Sequence, residues 1–390
     1  MLNYMAPDNP QEKTGKPLVY SLYRQGSSRR IVFIIFLIVL LITAAIMSAG
    51  IGTVAISPWN TVLAICHSFA TQVNNLLGNY IPGIVDWYNS IPYPTNPQAE
   101  LIVTGFRLPR ILLAILTGMS LAMAGAVMQG LLRNPLVSPF TLGLSSAAAF
   151  GAAFAIVIGP SIFAAFFQVS DDVFIIVMAF VFGWLCMLLV YGISRSRGTN
   201  QATLILAGVV IGYIFTAGVS ALSYVTTNEN LRNLTVWLMG GMWGASWTSV
   251  LILLPITLIC LILLMRMSWD LNALASGDDV AKNLGINVNK LRLRGLMIAT
   301  FAASCCLAFT GIIGFIGLMS PHICRMLIGN DHRYLIPCSA LMGASILLIS
   351  DTAARTVMSP VEIPVGIIMY VIGGLFFLFL IIRSRGRGLY

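Results

Sequence analysis

The chain has 390 residues, 58% of them hydrophobic and only 9% charged, with a formal charge of +9. That composition excludes a soluble globular protein. Repeated apolar runs of about 20 residues indicate an all-α polytopic membrane protein. The positive balance does not indicate nucleic acid, because Lys and Arg lie in short segments between apolar runs rather than on one face.

Residues 1–30 form a polar N-terminal tail ending in Arg29-Arg30, and 31–52 read as a first retained span, too long for a signal-peptide core. An enlarged outer segment, 53–106, carries Asp86 and Glu100 but no Lys or Arg before Arg107. Its prolines and aromatics predict short interfacial pieces, among them a helix over 62–77. Spans 2 to 6 are expected over 111–132, 141–158, 173–193, 201–225 and 248–265. Between them lie Arg133 with the breaker NPLVSP, an acidic Asp171-Asp172 loop, Arg195 with Arg197, and a connector holding Glu229 and Arg232. That connector ends in an amphipathic aromatic stretch from Trp237 to Trp247.

The polar island from Ser268 to Arg294 follows. Leu271, Leu274, Val280, Ala281, Leu284, Ile286 and Val288 recur near helical spacing on both sides of Gly277. They predict two short amphipathic helices with Gly285 as a C-cap. A folded basic element between spans indicates a docking surface for a soluble partner; a loop lying on lipid headgroups is the alternative.

Residues 295–329 would extend roughly 50 Å as one helix, too long for one crossing of a ~30 Å core. Two crossings fit, with a turn in GIIGFIG and a short eighth span broken at Pro321. Spans 9 and 10 are expected over 335–350 and 361–382, making 31–390 one transmembrane domain. Ten spans put both termini on one side together with 18 of the 22 Lys and Arg. The positive-inside rule makes that side cytoplasmic and leaves Arg107, Arg110, Arg232 and Arg355 outside.

Small residues repeat at every fourth position: Gly118, Ala122, Ala126 and Gly130 in span 2, and Gly208, Gly212, Thr216 and Ser220 in span 5. Such stripes let helices approach closely. The hydroxyls of Thr216 and Ser220 make span 5 the better candidate for lining a pathway.

No GxxxxGKS/T phosphate loop, HExxH or GxSxG is present. The seven cysteines form no CxxC and the three histidines are scattered, so no catalytic or metal site is predicted. No Asp or Glu falls at mid-depth in a span, which disfavours an ion-coupled secondary carrier. That carrier and a purely structural membrane protein are the competing classes.

Four stretches together carry a resemblance: RLPRILLAILTGMSLAMAGAVMQGLLRNPLVSPFTLG, ALASGDDVAKNLGI, GFIGLMSPHICRMLIGNDHR, and SDTAAR followed by EIPVGI. Over 99–385 the chain resembles the FecCD-type permeases, the membrane subunits of ABC importers for iron(III)-siderophores, haem and vitamin B12. The resemblance implies a type II importer fold in the cytoplasmic membrane of a prokaryote, paired with a second copy of the chain or a homologous permease. It also implies two ATPase subunits that bind the ATP and Mg, a substrate-binding protein outside, and no cofactor in this chain. By position, Leu271, Leu274, Gly277, Asp278, Asp279, Ala281, Lys282, Leu284 and Gly285 would form the ATPase-coupling element. Asn134, Leu136 and Gln201 would lie near the cytoplasmic gate, and Arg107, Arg110 and Arg355 would meet carboxylates of the binding protein. An arginine fork pairs bidentately with carboxylate and rim charge steers encounter; snorkelling to headgroups is the alternative. An iron(III) chelate is the expected substrate because that class of permease is the most numerous.

Overall fold

The structure, a computed structural model, describes residues 15–52, 54, 56–77, 80–94, 97–162, 170–196 and 201–383. Residues 1–14, Arg197 and the basic tail beyond Arg383 lie outside the described residues. No strand occurs among the described residues. Eight helices are long and apolar enough to cross a membrane, and two shorter apolar ones, Leu144–Gly159 and Ile316–Ile328, add to them among the described residues.

The first helix, α1 (Gly15–Gly50), begins well before the first apolar run, so the second half of the polar tail is helical. The outer segment folds as α2 (Pro58–Leu77), α3 (Pro82–Ser90) and α4 (Pro97–Glu100). A wide-turn π-helical stretch, Leu101–Arg107, then runs directly into α5 (Leu108–Leu131). Next come α6 (Leu144–Ile162), α7 (Asp171–Ser196), α8 (Gln201–Val225) and α9 (Asn228–Met239). The expected amphipathic stretch from Trp237 to Trp247 is not one helix. α9 stops at Gly240, whose φ of 67° favours glycine, and α10 (Trp247–Arg266) starts afresh with Ser246 as its N-cap.

The island forms α11 (Ser268–Ala275) and α12 (Asp278–Asn283). Beyond it lie α13 (Val288–Thr310), α14 (Ile316–Ile328), α15 (His332–Thr356) and α16 (Val365–Arg383). The stretch 295–329, expected to hold two crossings, is two helices, α13 and the shorter α14, joined across Gly311–Phe315.

Helix α5 is the axis of the bundle. Nearly all of its apolar length is buried, whereas α1 and α16 are mostly exposed, so α5 is the interior helix and the other two face outward. Its small residues make this possible, since packing in lipid depends on close backbone approach. A Cβ added to Gly118 would overlap the Gly343 carbonyl of α15, and one on Gly125 would overlap the Gly317 carbonyl of α14.

Pro321 does not break the eighth span as expected; α14 continues through it to Ile328. Proline lacks the N–H that would bond the carbonyl four residues back, here that of Gly317. Gln129 of α5, 2% exposed, fills the vacancy by donating from Nε2 to that carbonyl at 3.3 Å.

A candidate coupling element and its anchors

Helices α11 and α12 sit beneath the bundle as a short two-helix element. Gly277, with φ 124°, makes the turn between them, and Gly285, with φ 83°, ends the second, so both positions suit only glycine. Leu271, Leu274 and Ala281 are fully buried and fasten the element to the bundle. Trp269, Asp279, Val280, Lys282 and Leu284 are exposed and form its outward face. On that face Lys282 Nζ pairs with Asp279 Oδ1 at 3.1 Å.

Asp278 points the other way. Its carboxylate accepts from the buried Arg292 of α13 at 2.9 and 3.0 Å, and lies 3.1 Å from Arg133 Nη2 at the end of α5. Arg292 also donates from Nε to the Leu131 carbonyl at 3.3 Å, so one guanidinium joins α5, α12 and α13. Asp278 is an anchor, not part of the outward face.

A second anchor lies on α11. Asn272 Nδ2 donates to Asp331 Oδ1 at 2.8 Å, while Asn272 Oδ1 accepts from the His332 backbone N–H at 2.8 Å. His332 Nδ1 lies 2.9 Å from the same oxygen. Asp331 caps α15 and also binds Arg333 and Arg30, so α1, α11 and α15 meet at one carboxylate. Hydrogen bonds from Arg333 and then Asn272 outweigh burial and hold the Asp331 carboxyl down to about 2. The Arg333 guanidinium lies over the Trp269 ring at 4.3 Å, so the outward face is braced by the same cluster.

The gate candidates are spread out. Asn134 folds its own turn, accepting from the Leu136 N–H at 2.9 Å, and Leu136 is 60% exposed. Gln201 opens α8, and its Nε2 has no hydrogen-bond partner among the described residues. Gly208 and Gly212 are buried against the backbone of Leu142 and Gly143, which makes them packing positions, whereas Thr216 and Ser220 are exposed. The i+4 stripe winds from a helix contact to the surface because four residues overshoot one turn.

The outer arginines are turned inward. Arg107, 6% exposed, donates to the carbonyls of Ala49 and Gly50 at 2.7 and 3.0 Å and to that of Val54, closing the end of α1. Arg110 forks onto Asp351 at 3.0–3.3 Å and reaches Glu362 at 2.7 Å. Arg355, 4% exposed, donates to Ser48 Oγ at 2.6 Å, with its Nε 3.3 Å from Asp351 Oδ2. The docking rim expected of Arg107, Arg110 and Arg355 is thus a largely buried network, and among these residues only Glu362 reaches outward with appreciable exposure. No group of three or more His, Cys, Asp or Glu stands at metal-binding geometry among the described residues.

Residues 37–383 match the FecCD transport family. The chain belongs to that family. The chain is 36% identical to the hemin transport system permease of Yersinia pestis, over 90% of this chain and 95% of that one. It is equally identical to the Fe(3+)-citrate import system permease of Bacillus subtilis over 90% and 95%. A solved structure of a metal-chelate type ABC transporter in an inward-facing conformation superposes with a TM-score of 0.73 at 32% identity, covering 90% of this chain and 98% of that one. This FecCD protein is a transmembrane permease subunit of an ABC importer.

Sequence reading passed over Asn272, Asp331 and Gln129. The signal for Gln129 was an isolated amide inside an apolar span, a residue type that bonds across helices in lipid.

Proposed function

We propose that this permease imports a metal chelate, an iron(III) chelate first among them, driven by ATP that a partner ATPase binds with Mg and hydrolyses. The ATPase seats against the outward face of α11–α12, namely Trp269, Asp279, Val280, Lys282 and Leu284. The observation that carries this reading is the division of that element into two faces. Leu271, Leu274, Ala281, Asp278 and Asn272 lock it to four helices, while a mixed polar and apolar strip stays uncovered. A rigidly held lever with an open face transmits force; a lipid-lying loop needs no such anchors.

Ten crossings with both termini in the cytoplasm are part of the proposal, supported by the placement of 18 of the 22 Lys and Arg on one side. A second copy of the chain, or a homologous permease, pairs so that α8 and α16 flank the path. Thr216 and Ser220 line it and Asn134, Leu136 and Gln201 stand at its cytoplasmic mouth. Closure of the ATPases tilts α8 and α16 about that mouth. The binding protein docks on the opposite side, with the Arg110–Glu362 pair at its contact and Arg107 and Arg355 as buried supports. Relatives that handle hemin and Fe(3+)-citrate support the chelate reading.

The test replaces Asp279, Lys282 and Leu284 together and measures ATPase co-purification and ATP-driven uptake of labelled ferric citrate and hemin. Loss of both is expected; undiminished co-purification with normal uptake overturns the reading.

A further inference from the structure

The vacancy that Pro321 leaves on the Gly317 carbonyl is filled from another helix, and the filler is itself held. Gln129 Nε2 donates to Gly317 O, while Gln129 Oε1 accepts from Arg325 Nη2 at 2.9 Å, one turn beyond the proline. Both ends of one buried amide are therefore spent on α14, on either side of its weakened turn. Arg325 makes no salt bridge within 4.0 Å to a carboxylate among the described residues, so the neutral amide is what orients it.

The residue after Gln129 touches the other anchor. Gly130 lies so close under the His332 ring that a Cβ there would overlap Nε2. His332 is 4% exposed and is bound on its other edge to Asn272 of α11. An unbroken line of contacts thus runs from the coupling element to the α5–α14 crossing: Asn272, His332, Gly130, Gln129, and from there both Arg325 and the Gly317 carbonyl. The crossing admits no slack, because Gly125 and Gly317 already bring the two backbones into contact.

The geometry points to Gln129 as a positioning residue that transmits movement of α11 to α14, by holding Arg325 and the Gly317 carbonyl at once. This rests on the ATPase seating at α11–α12. A helix turn lacking its own hydrogen bond is the place where α14 bends most easily, and Gln129 fixes which of its two halves follows α5. Coupling is read directly as uptake per ATP hydrolysed.

The test uses the permease purified with its ATPase and reconstituted in liposomes, with labelled ferric citrate and hemin as probes. Q129L should keep the ATPase attached and hydrolysing, while uptake per ATP falls about 2- to 30-fold, the range for residues along a coupling network. P321A is the diagnostic partner, since it returns an N–H to the Gly317 carbonyl without touching Arg325. Q129L/P321A should regain thermal stability yet stay uncoupled. Q129E/P321A, which satisfies the carbonyl and again holds Arg325, should recover uptake per ATP. Full recovery of uptake per ATP in Q129L/P321A overturns the inference, because Gln129 would then only satisfy an orphaned carbonyl. Normal uptake per ATP in Q129L with the ATPase attached also overturns it, and leaves the seating at α11–α12 standing. If the triple replacement of Asp279, Lys282 and Leu284 leaves the ATPase attached, both readings fall together.

Discussion

Arg292, buried in α13, donates through one nitrogen to both carboxylate oxygens of Asp278, 3.0 and 2.9 Å away on α12. The pair closes the coupling element against the bundle, and Arg133 shares the same carboxylate. Removing Asp278 takes both of these hydrogen bonds from a desolvated guanidinium, and breaking such a pair is far costlier than losing a surface ion pair.

D278A should therefore destabilise the element by about 2–3 kcal/mol, below the 3–5 of a fully buried pair because Asp278 keeps some solvent. Amide exchange should quicken across 277–285 while α5 stays protected. Uniform loosening of the whole bundle would contradict the placement of Asp278 as a local anchor.

Acid should act on the Asp331 hub. Its carboxyl is depressed to about 2 from a usual 3.8, first by Arg333. A depressed carboxyl contributes stability that is full above the unfolded value and is lost as pH falls through the folded one. The thermal-midpoint difference between the wild type and D331N should stay flat from neutral pH to about 4 and shrink between about 4 and 2. A difference that vanishes already near neutral pH would contradict the assignment.

Gly125 and Gly105 should respond oppositely to alanine. At Gly125 the new Cβ meets the Gly317 backbone, which has no flexible end to swing away, and overpacking of this kind costs about 1–3 kcal/mol or more. At Gly105 its nearest neighbour is Leu101 Cδ1 at 3.7 Å, an ordinary contact. G125A should lower the thermal midpoint in detergent and G105A should hold or raise it, since alanine suits helix better than glycine. Equal effects would contradict the α5–α14 contact.

Arg107 should behave as a structural cap. R107L strands the carbonyls of Ala49 and Gly50, at about 1–3 kcal/mol for a buried group left unmade, and should lower thermal stability before anything else. An unchanged midpoint accompanied by lost binding-protein affinity would return Arg107 to the docking surface.

The bundle was legible because lipid imposes a crude code: long apolar runs, basic residues in the short segments between them, and glycines where helices turn or touch. Gly277 and Gly285 were readable for the same reason, since helical periodicity stops at one and ends at the other. Partners across the fold were not. Nothing in the spacing of Gln129 and Pro321 reveals that one answers the other's missing N–H. The scarcity of Lys and Arg in the segments expected outside singled out Arg107, Arg110 and Arg355, but local sequence does not say whether a guanidinium faces a partner protein or another part of its own chain. Asp278 and Asp279 are adjacent and alike in sequence, yet helical geometry sends one inward to Arg292 and the other to solvent.

The central claim is that the open face of α12 is gripped from the cytoplasm by the ATPase. A single cysteine at position 282 (K282C), with the exposed Cys66 replaced by serine and the other six buried cysteines left in place, gives the most direct measurement. In permeabilised cells a maleimide–benzophenone reagent, attached to the thiol at 282 and then illuminated so that it inserts into a neighbouring C–H bond, should join position 282 to the ATPase. In intact cells an impermeant maleimide should not reach it. Labelling of intact cells at 282, or a permeabilised sample in which 282 is freely labelled but never joins the ATPase, would contradict the account.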